Sequence, residues 1–150
     1  MTRQNLLNYT TSIEALKTVG EIQGILVAHG ARAILMEYSP QQSIEALSFK
    51  IDSPHGELGI RLPIKPDAIL EILKKQYQAR KVPWRYVNRD QAVRIAWRIL
   101  KDWVEAQMAI LETEMVKLEE IFLPYILHPS GQTLFEVMES RNLLQEGRAN

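Results

Sequence analysis

Residues 88–115 read NRDQAVRIAWRILKDWVEAQMAILETEM, with neither proline nor glycine from Ala92 to Met115. Val93, Trp97, Leu100, Val104, Met108, Leu111 and Met115 recur at helical spacing. Ile95, Ile99, Trp103, Ala106 and Ile110 widen that stripe until only a narrow polar seam of Arg94, Arg98, Lys101, Glu105 and Glu112 remains. A helix this apolar belongs at the centre of a fold or of an oligomer interface. Asn88 with Gln91 three residues on is a capping-box arrangement at its start. The chain is therefore expected to be organised around one long helix over 89–115.

Working back from that helix, the N-terminal half reads as a small sheet. Leu47, Phe49 and Ile51 alternate with Ser48 and Lys50, and Leu58, Ile60 and Leu62 alternate with Glu57, Gly59 and Arg61. That period of two marks half-buried strands, with turns at Ser39–Gln42 and Ser53–Gly56. Ala31 to Tyr38 is a third strand, and Leu6 to Ile13 a candidate for a fourth. Thr18-Val-Gly-Glu21 fits a capping box opening a helix that Gly30 ends, and Pro66 suits the first turn of another helix with Ala68, Ile69, Ile72 and Leu73 inward. Beyond the long helix, Pro124 and Pro129 bracket Tyr125 to His128, and Thr133-Leu-Phe-Glu136 caps a short last helix. The expected class is α+β, a three- to four-stranded antiparallel sheet packed against helices. One domain over 1–150 is expected, mainly sheet with one helix over 1–66, mainly helical over 67–144, with a frayed tail at 145–150.

Composition removes several classes. The chain has no cysteine, so it holds no disulfide framework, thiolate metal site or cysteine nucleophile. The start, Met-Thr-Arg-Gln-Asn, does not read as a signal peptide, and no uncharged apolar run reaches a membrane-spanning length. A reducing cytoplasm is the expected compartment. His29, His55 and His128 lack metal-binding spacing, and no phosphate-loop or dinucleotide-binding glycine pattern occurs. No catalytic residue, metal ligand or cofactor is nominated, and an enzymatic role is less expected than a binding one.

The strings Lys17-Thr-Val-Gly-Glu-Ile-Gln, Arg61-Leu-Pro and Ala96-Trp-Arg-Ile-Leu-Lys-Asp-Trp-Val-Glu-Ala-Gln-Met-Ala resemble a family of small uncharacterised proteins encoded by bacteriophages and prophages. The resemblance spans roughly residues 17–143. It implies a mobile-element origin; the family has no assigned activity, so no functional residue is carried over.

Charge supplies the functional clue. From Lys74 to Lys101, nine basic residues face one acid, Asp90, in a chain of zero formal net charge. The stretch also holds Tyr77, Trp84, Tyr86 and Trp97. Cations concentrated with aromatic rings suit an anionic, stackable partner such as nucleic acid or a nucleotide. Trp97 and Trp103 lie on the apolar stripes and read as core; no apolar period claims Trp84 or Tyr86. The nominated nucleic-acid site is Arg80, Lys81, Trp84, Arg85, Tyr86, Arg89, Arg94 and Arg98.

The long helix also sets bases in its first half and acids in its second, against its dipole. Two readings stand: the basic half faces an anion, or glutamates of a neighbouring helix neutralise it. Leu118, Ile121, Phe122, Leu123, Tyr125, Ile126 and Leu127 pose a similar choice, completing the core or forming a homo-oligomer interface. The leading functional reading is a non-catalytic phage or mobile-element accessory protein that binds nucleic acid. The alternatives are a module for a host or phage protein partner, counter-defence included, and an oligomeric pocket protein holding an anionic nucleotide.

Overall fold

A computed structural model describes residues 5–145 of the chain. The elements run α1 (Ala15–Ala28), β1 (Ala31–Tyr38), β2 (Ile44–Ser53), β3 (Gly56–Arg61), α2 (Pro66–Gln78), α3 (Arg89–Glu112), α4 (Leu118–Phe122) and α5 (Leu134–Ser140), with single 3₁₀ turns at Trp84–Tyr86 and Leu123–Tyr125. The class is α+β, as the patterning predicts. The expected tail at 145–150 lies, from residue 146 on, outside the described residues. Among the described residues no helix is long and apolar enough to cross a membrane.

The sheet is an antiparallel meander in the order β1-β2-β3. Phe49 at its centre stands opposite Ile34 on β1 and Ile60 on β3, so the alternating apolar residues of three strands meet on one face. Leu47, Phe49, Ile51 and Ile60 are buried there together with Val19, Ile22 and Leu26 of α1. Gly30 takes φ +101°, a left-handed conformation that closes α1 and costs a glycine little, and the chain turns directly into β1. The outer edge of β3 is covered: Ile126 bridges to Ile60, and the Leu127 amide donates to the Gly59 carbonyl at 2.8 Å.

Helix α3 carries two apolar faces and buries both. Val93, Trp97, Leu100, Val104 and Met108 enter the cluster built on the sheet and α1. Ala92 and Ile95, with half-buried Ile99, enter a second cluster with Leu73 of α2 and with Val82 and Val87. Phe122 closes the first cluster, edge-on to Phe49 (ring centroids 5.8 Å apart) and Trp103 (5.9 Å). Leu118, Ile121, Tyr125 and Ile126 pack around it half-buried, so most of that segment completes the core of its own chain.

Several local expectations are overturned. No strand forms over Leu6 to Ile13; the segment makes turns, with Asn8 at φ +63° and the Tyr9 amide bonded to the Leu6 carbonyl at 3.2 Å. It is fastened instead from a distance: the Leu6 amide donates to Gln76 Oε1 at 3.1 Å, and Gln91 Nε2 donates to the carbonyls of Tyr9 and Thr11, both at 2.9 Å. Thr18 and Glu21 do not cap α1, which starts one turn earlier after Glu14 without a side-chain cap. Both residues face α3, where Arg98 pairs with Glu21 and donates to Thr18 Oγ1 at 3.4 Å. The α3 cap is half of the expected box: Asn88 Oδ1 accepts from the Gln91 amide at 2.8 Å, while the Gln91 side chain leaves for the N-terminal segment. The helix stops at Glu112 rather than Met115, and Glu114 turns into the left-handed region at φ +62°. The Thr133–Glu136 box on α5 forms in both directions, at 2.9 and 3.3 Å.

His29 joins the C-terminal ends of α1 and α3, with Nδ1 at 2.8 Å from the Ile25 carbonyl and Nε2 at 2.7 Å from Glu112 Oε1. The carbonyl and then the carboxylate favour the doubly protonated ring, so its pKa lies above the ordinary histidine value. A raised folded-state pKa gives a contribution to stability that is full below about 6.5 and is lost as pH rises through the folded value. In urea unfolding across about pH 5.5–8.5, His29→Asn is expected to remove that decline by lowering stability at the acid end toward its alkaline level. Gln91→Ala is expected to cost about 1–3 kcal/mol in the same assay, since it removes the two bonds to the N-terminal segment and the two that Arg94 gives to this buried side chain. It should also speed amide exchange at residues 6–13 relative to the sheet.

Candidate nucleic-acid interface

The connection from α2 to α3, residues 79–88, is held at two points. Val82 and Val87 are buried in the second apolar cluster, and the Pro83–Tyr86 turn between them exposes Pro83, Trp84 and Arg85. The turn is closed by the Tyr86 amide on the Pro83 carbonyl at 3.2 Å and the Val87 amide on the Trp84 carbonyl at 2.9 Å. Arg80, at φ +59°, reverses the chain as it leaves α2, its amide bonded to the Tyr77 carbonyl at 2.9 Å. A short segment anchored at both ends displays its side chains in fixed positions.

What it displays is aromatic and basic. Trp84 is 63% exposed and lies against Tyr77, itself 43% exposed, with centroids 4.9 Å apart and planes at 58°. Tyr86 plays a different part. It packs half-buried on the second cluster, edge-on to Tyr9 at 5.5 Å, and the Arg85 guanidinium covers its ring at 4.7 Å. Arg85 also donates to the Tyr86 hydroxyl at 3.3 Å. Beside this group lies an open depression of about 640 Å³, lined by Tyr9, Tyr77, Arg80, Lys81 and Pro83. Clefts of roughly 300–1,000 Å³ commonly hold small ligands.

The eight nominated residues separate into two sets. Arg80, Lys81, Trp84, Arg85 and Tyr86 come together on the loop and around the depression. Arg89 pairs with Asp67 at the start of α2. Arg94 gives two hydrogen bonds to Gln91 Oε1, at 3.0 and 2.8 Å, on its own helix. Arg98, with a side chain 15% exposed, belongs to the contact between α1 and α3. Lys74 and Lys101, outside the nominated set, pair with Glu71 (3.3 Å) and Glu105 (2.6 Å). Arg80 and Arg85 make no ion pair among the described residues. Part of the positive charge of the sequence is therefore taken up by partners along the helices, while Arg80 and Arg85 stand together on one loop.

Two aromatic residues of the depression, Tyr9 and Tyr77, escaped the nomination. Tyr77 carried a signal, an aromatic ring off the apolar stripe of α2 inside the basic run. Tyr9 carried none, because the Gln91 bonds that bring its segment alongside span some 80 residues of chain. No group of three or more His, Asp or Glu side chains suited to a metal ion occurs among the described residues.

The three tryptophans report on this geometry, since Trp97 is fully buried and Trp103 half-buried. Acrylamide quenching should act chiefly on Trp84, and Trp84→Phe should remove most of the quenchable, red-shifted emission. Equal quenching before and after that change would place the ring inside the protein. Compared with protein-family models, curated proteins and solved structures, the chain matches none.

Proposed function

We propose that the protein is a non-catalytic accessory factor of phage or mobile-element type, acting in the cytoplasm, that binds nucleic acid through the loop between α2 and α3. The observation that carries the reading is the pairing of an exposed tryptophan with arginines that make no ion pair among the described residues. A ring of that size turned to water on an anchored loop forgoes burial that a core position would give it, and stacking on a base recovers it. Arg80 and Arg85, with Lys81 at the rim of the depression, supply phosphate contacts around the ring. A structural role accounts for two of the other nominated cations: Arg98 ties α3 to α1, and Arg89 ties α3 to α2.

The test is fluorescence anisotropy with labelled DNA and RNA, titrated from about 50 to 200 mM salt. The change Arg80→Ala/Lys81→Ala/Arg85→Ala should weaken binding at least tenfold and flatten its salt dependence, while Lys50→Gln, on the sheet, leaves both unchanged. Unaltered affinity in the triple variant would move the site elsewhere. In a parallel thermal-shift panel, stabilisation by mononucleotides alone would favour a nucleotide pocket. No response to any nucleotide or oligonucleotide would favour a protein partner.

A further inference from the structure

Given a nucleic-acid partner, the loop geometry points to a single strand: we propose that an unpaired base seats on the Trp84–Tyr77 corner and that Arg80 and Arg85 hold the adjoining phosphates. The inference rests on the reading above and narrows it to one substrate class. Base faces in a duplex are covered by their neighbours and open only at its ends, whereas a flexible strand can offer a face to an exposed ring. Trp84 is such a ring. Its recorded ring contact is Tyr77, and the 58° between the planes makes an open corner rather than a closed stack. Tyr86 cannot serve in the same way, because Arg85 lies over its ring.

The charge distribution argues in the same direction. Reading a duplex groove calls for a helix or ribbon presenting cations and polar groups along its length. The helix that carries such a row here is α3, and its row is committed: Arg89 to Asp67, Arg94 to Gln91, Arg98 to Glu21 and Lys101 to Glu105. Arg80 and Arg85, which make no ion pair among the described residues, form a compact patch at the loop, enough for about two phosphates. The depression next to it, bounded by Tyr9 and Pro83, has room for the nucleotide that follows the stacked base.

The experiment compares labelled oligothymidylate and oligouridylate of about 8–16 nucleotides, a length range typical of single-strand sites, with a blunt duplex of mixed sequence. Wild-type protein, Trp84→Ala, Trp84→Phe and the triple arginine–lysine variant are each titrated. Single strands are expected to bind at least tenfold more tightly than duplex, and the deoxy and ribo arms identify which strand is preferred. Trp84→Ala should weaken single-strand binding about 5- to 150-fold, the range for loss of one base–aromatic stack, while Trp84→Phe retains most of the affinity. The salt slope should be about −1.4, from about 0.7 per phosphate for a single strand. Trp84 emission should change on addition of strand.

Duplex binding as tight as single-strand binding, or a Trp84→Ala variant with undiminished single-strand affinity, overturns the inference. If the triple variant still loses binding in that case, the nucleic-acid reading stands. No binding of either form at low salt removes both. Trp84 is exposed, so its removal leaves both apolar clusters intact, and a circular dichroism spectrum matching wild type establishes that a lost affinity is local.

Discussion

Helix α3 is apolar on two sides, and the fold follows from the need to cover both. The sheet and α1 take one side; α2 and the valines at 82 and 87 take the other. Trp97 marks how strongly packing governs the first side, since its ring is fully buried although its indole N–H finds no acceptor among the described residues. A buried unpaired donor costs about 1–3 kcal/mol, less than the burial of so large a side chain contributes. The second side has a consequence for the surface. By drawing Val82 and Val87 inward, it turns Pro83, Trp84 and Arg85 outward while Tyr86 folds back onto the cluster. The exposure of Trp84 is thus imposed by the same helix that organises the interior.

Charge follows a related division. On α3 the bases precede the acids, an order that an isolated helix disfavours. In the folded chain Arg98 meets Glu21 of α1 and Arg89 meets Asp67 of α2, so partners on other helices neutralise part of the basic half. Lys101 and Glu105 pair along the helix despite the weaker base-before-acid orientation. The arginines on the loop have no such partners among the described residues, and the two readings of the basic stretch apply to different residues: neutralisation on the helix, solvent-facing charge on the loop.

Features set by neighbouring residues were legible in the sequence. The alternation around Phe49 and Ile60, Gly30 after α1, Pro66 at the start of α2, Asn88 before α3 and the Thr133–Glu136 box all depend on spacings of a few residues. Features set by distant contacts were not. Thr18 and Glu21 have the right spacing for a cap, but Arg98 claims both; Gln91 could serve its own helix, but the carbonyls of Tyr9 and Thr11 claim it. Short α4 lacks an N-terminal signature beyond Lys117 and its acids, and depends on Phe122 reaching the sheet. Of the candidate site, Trp84 and its basic neighbours were visible because no apolar period accounted for them. The separation of Arg94 and Arg98 from the loop was not visible, since it depends on which way α3 is turned.

The clasp of Gln91 on the N-terminal segment bears on the order in which the chain can mature as it is synthesised. Tyr9 and Thr11 emerge first, yet the side chain that fixes them is made some 80 residues later. Until α3 follows, the apolar face of β2 has only α1 for cover, and the segment before α1 has no lasting partner. The sheet therefore cannot settle as an early, self-sufficient unit, and the whole first half remains provisional on the ribosome until the long helix has cleared it.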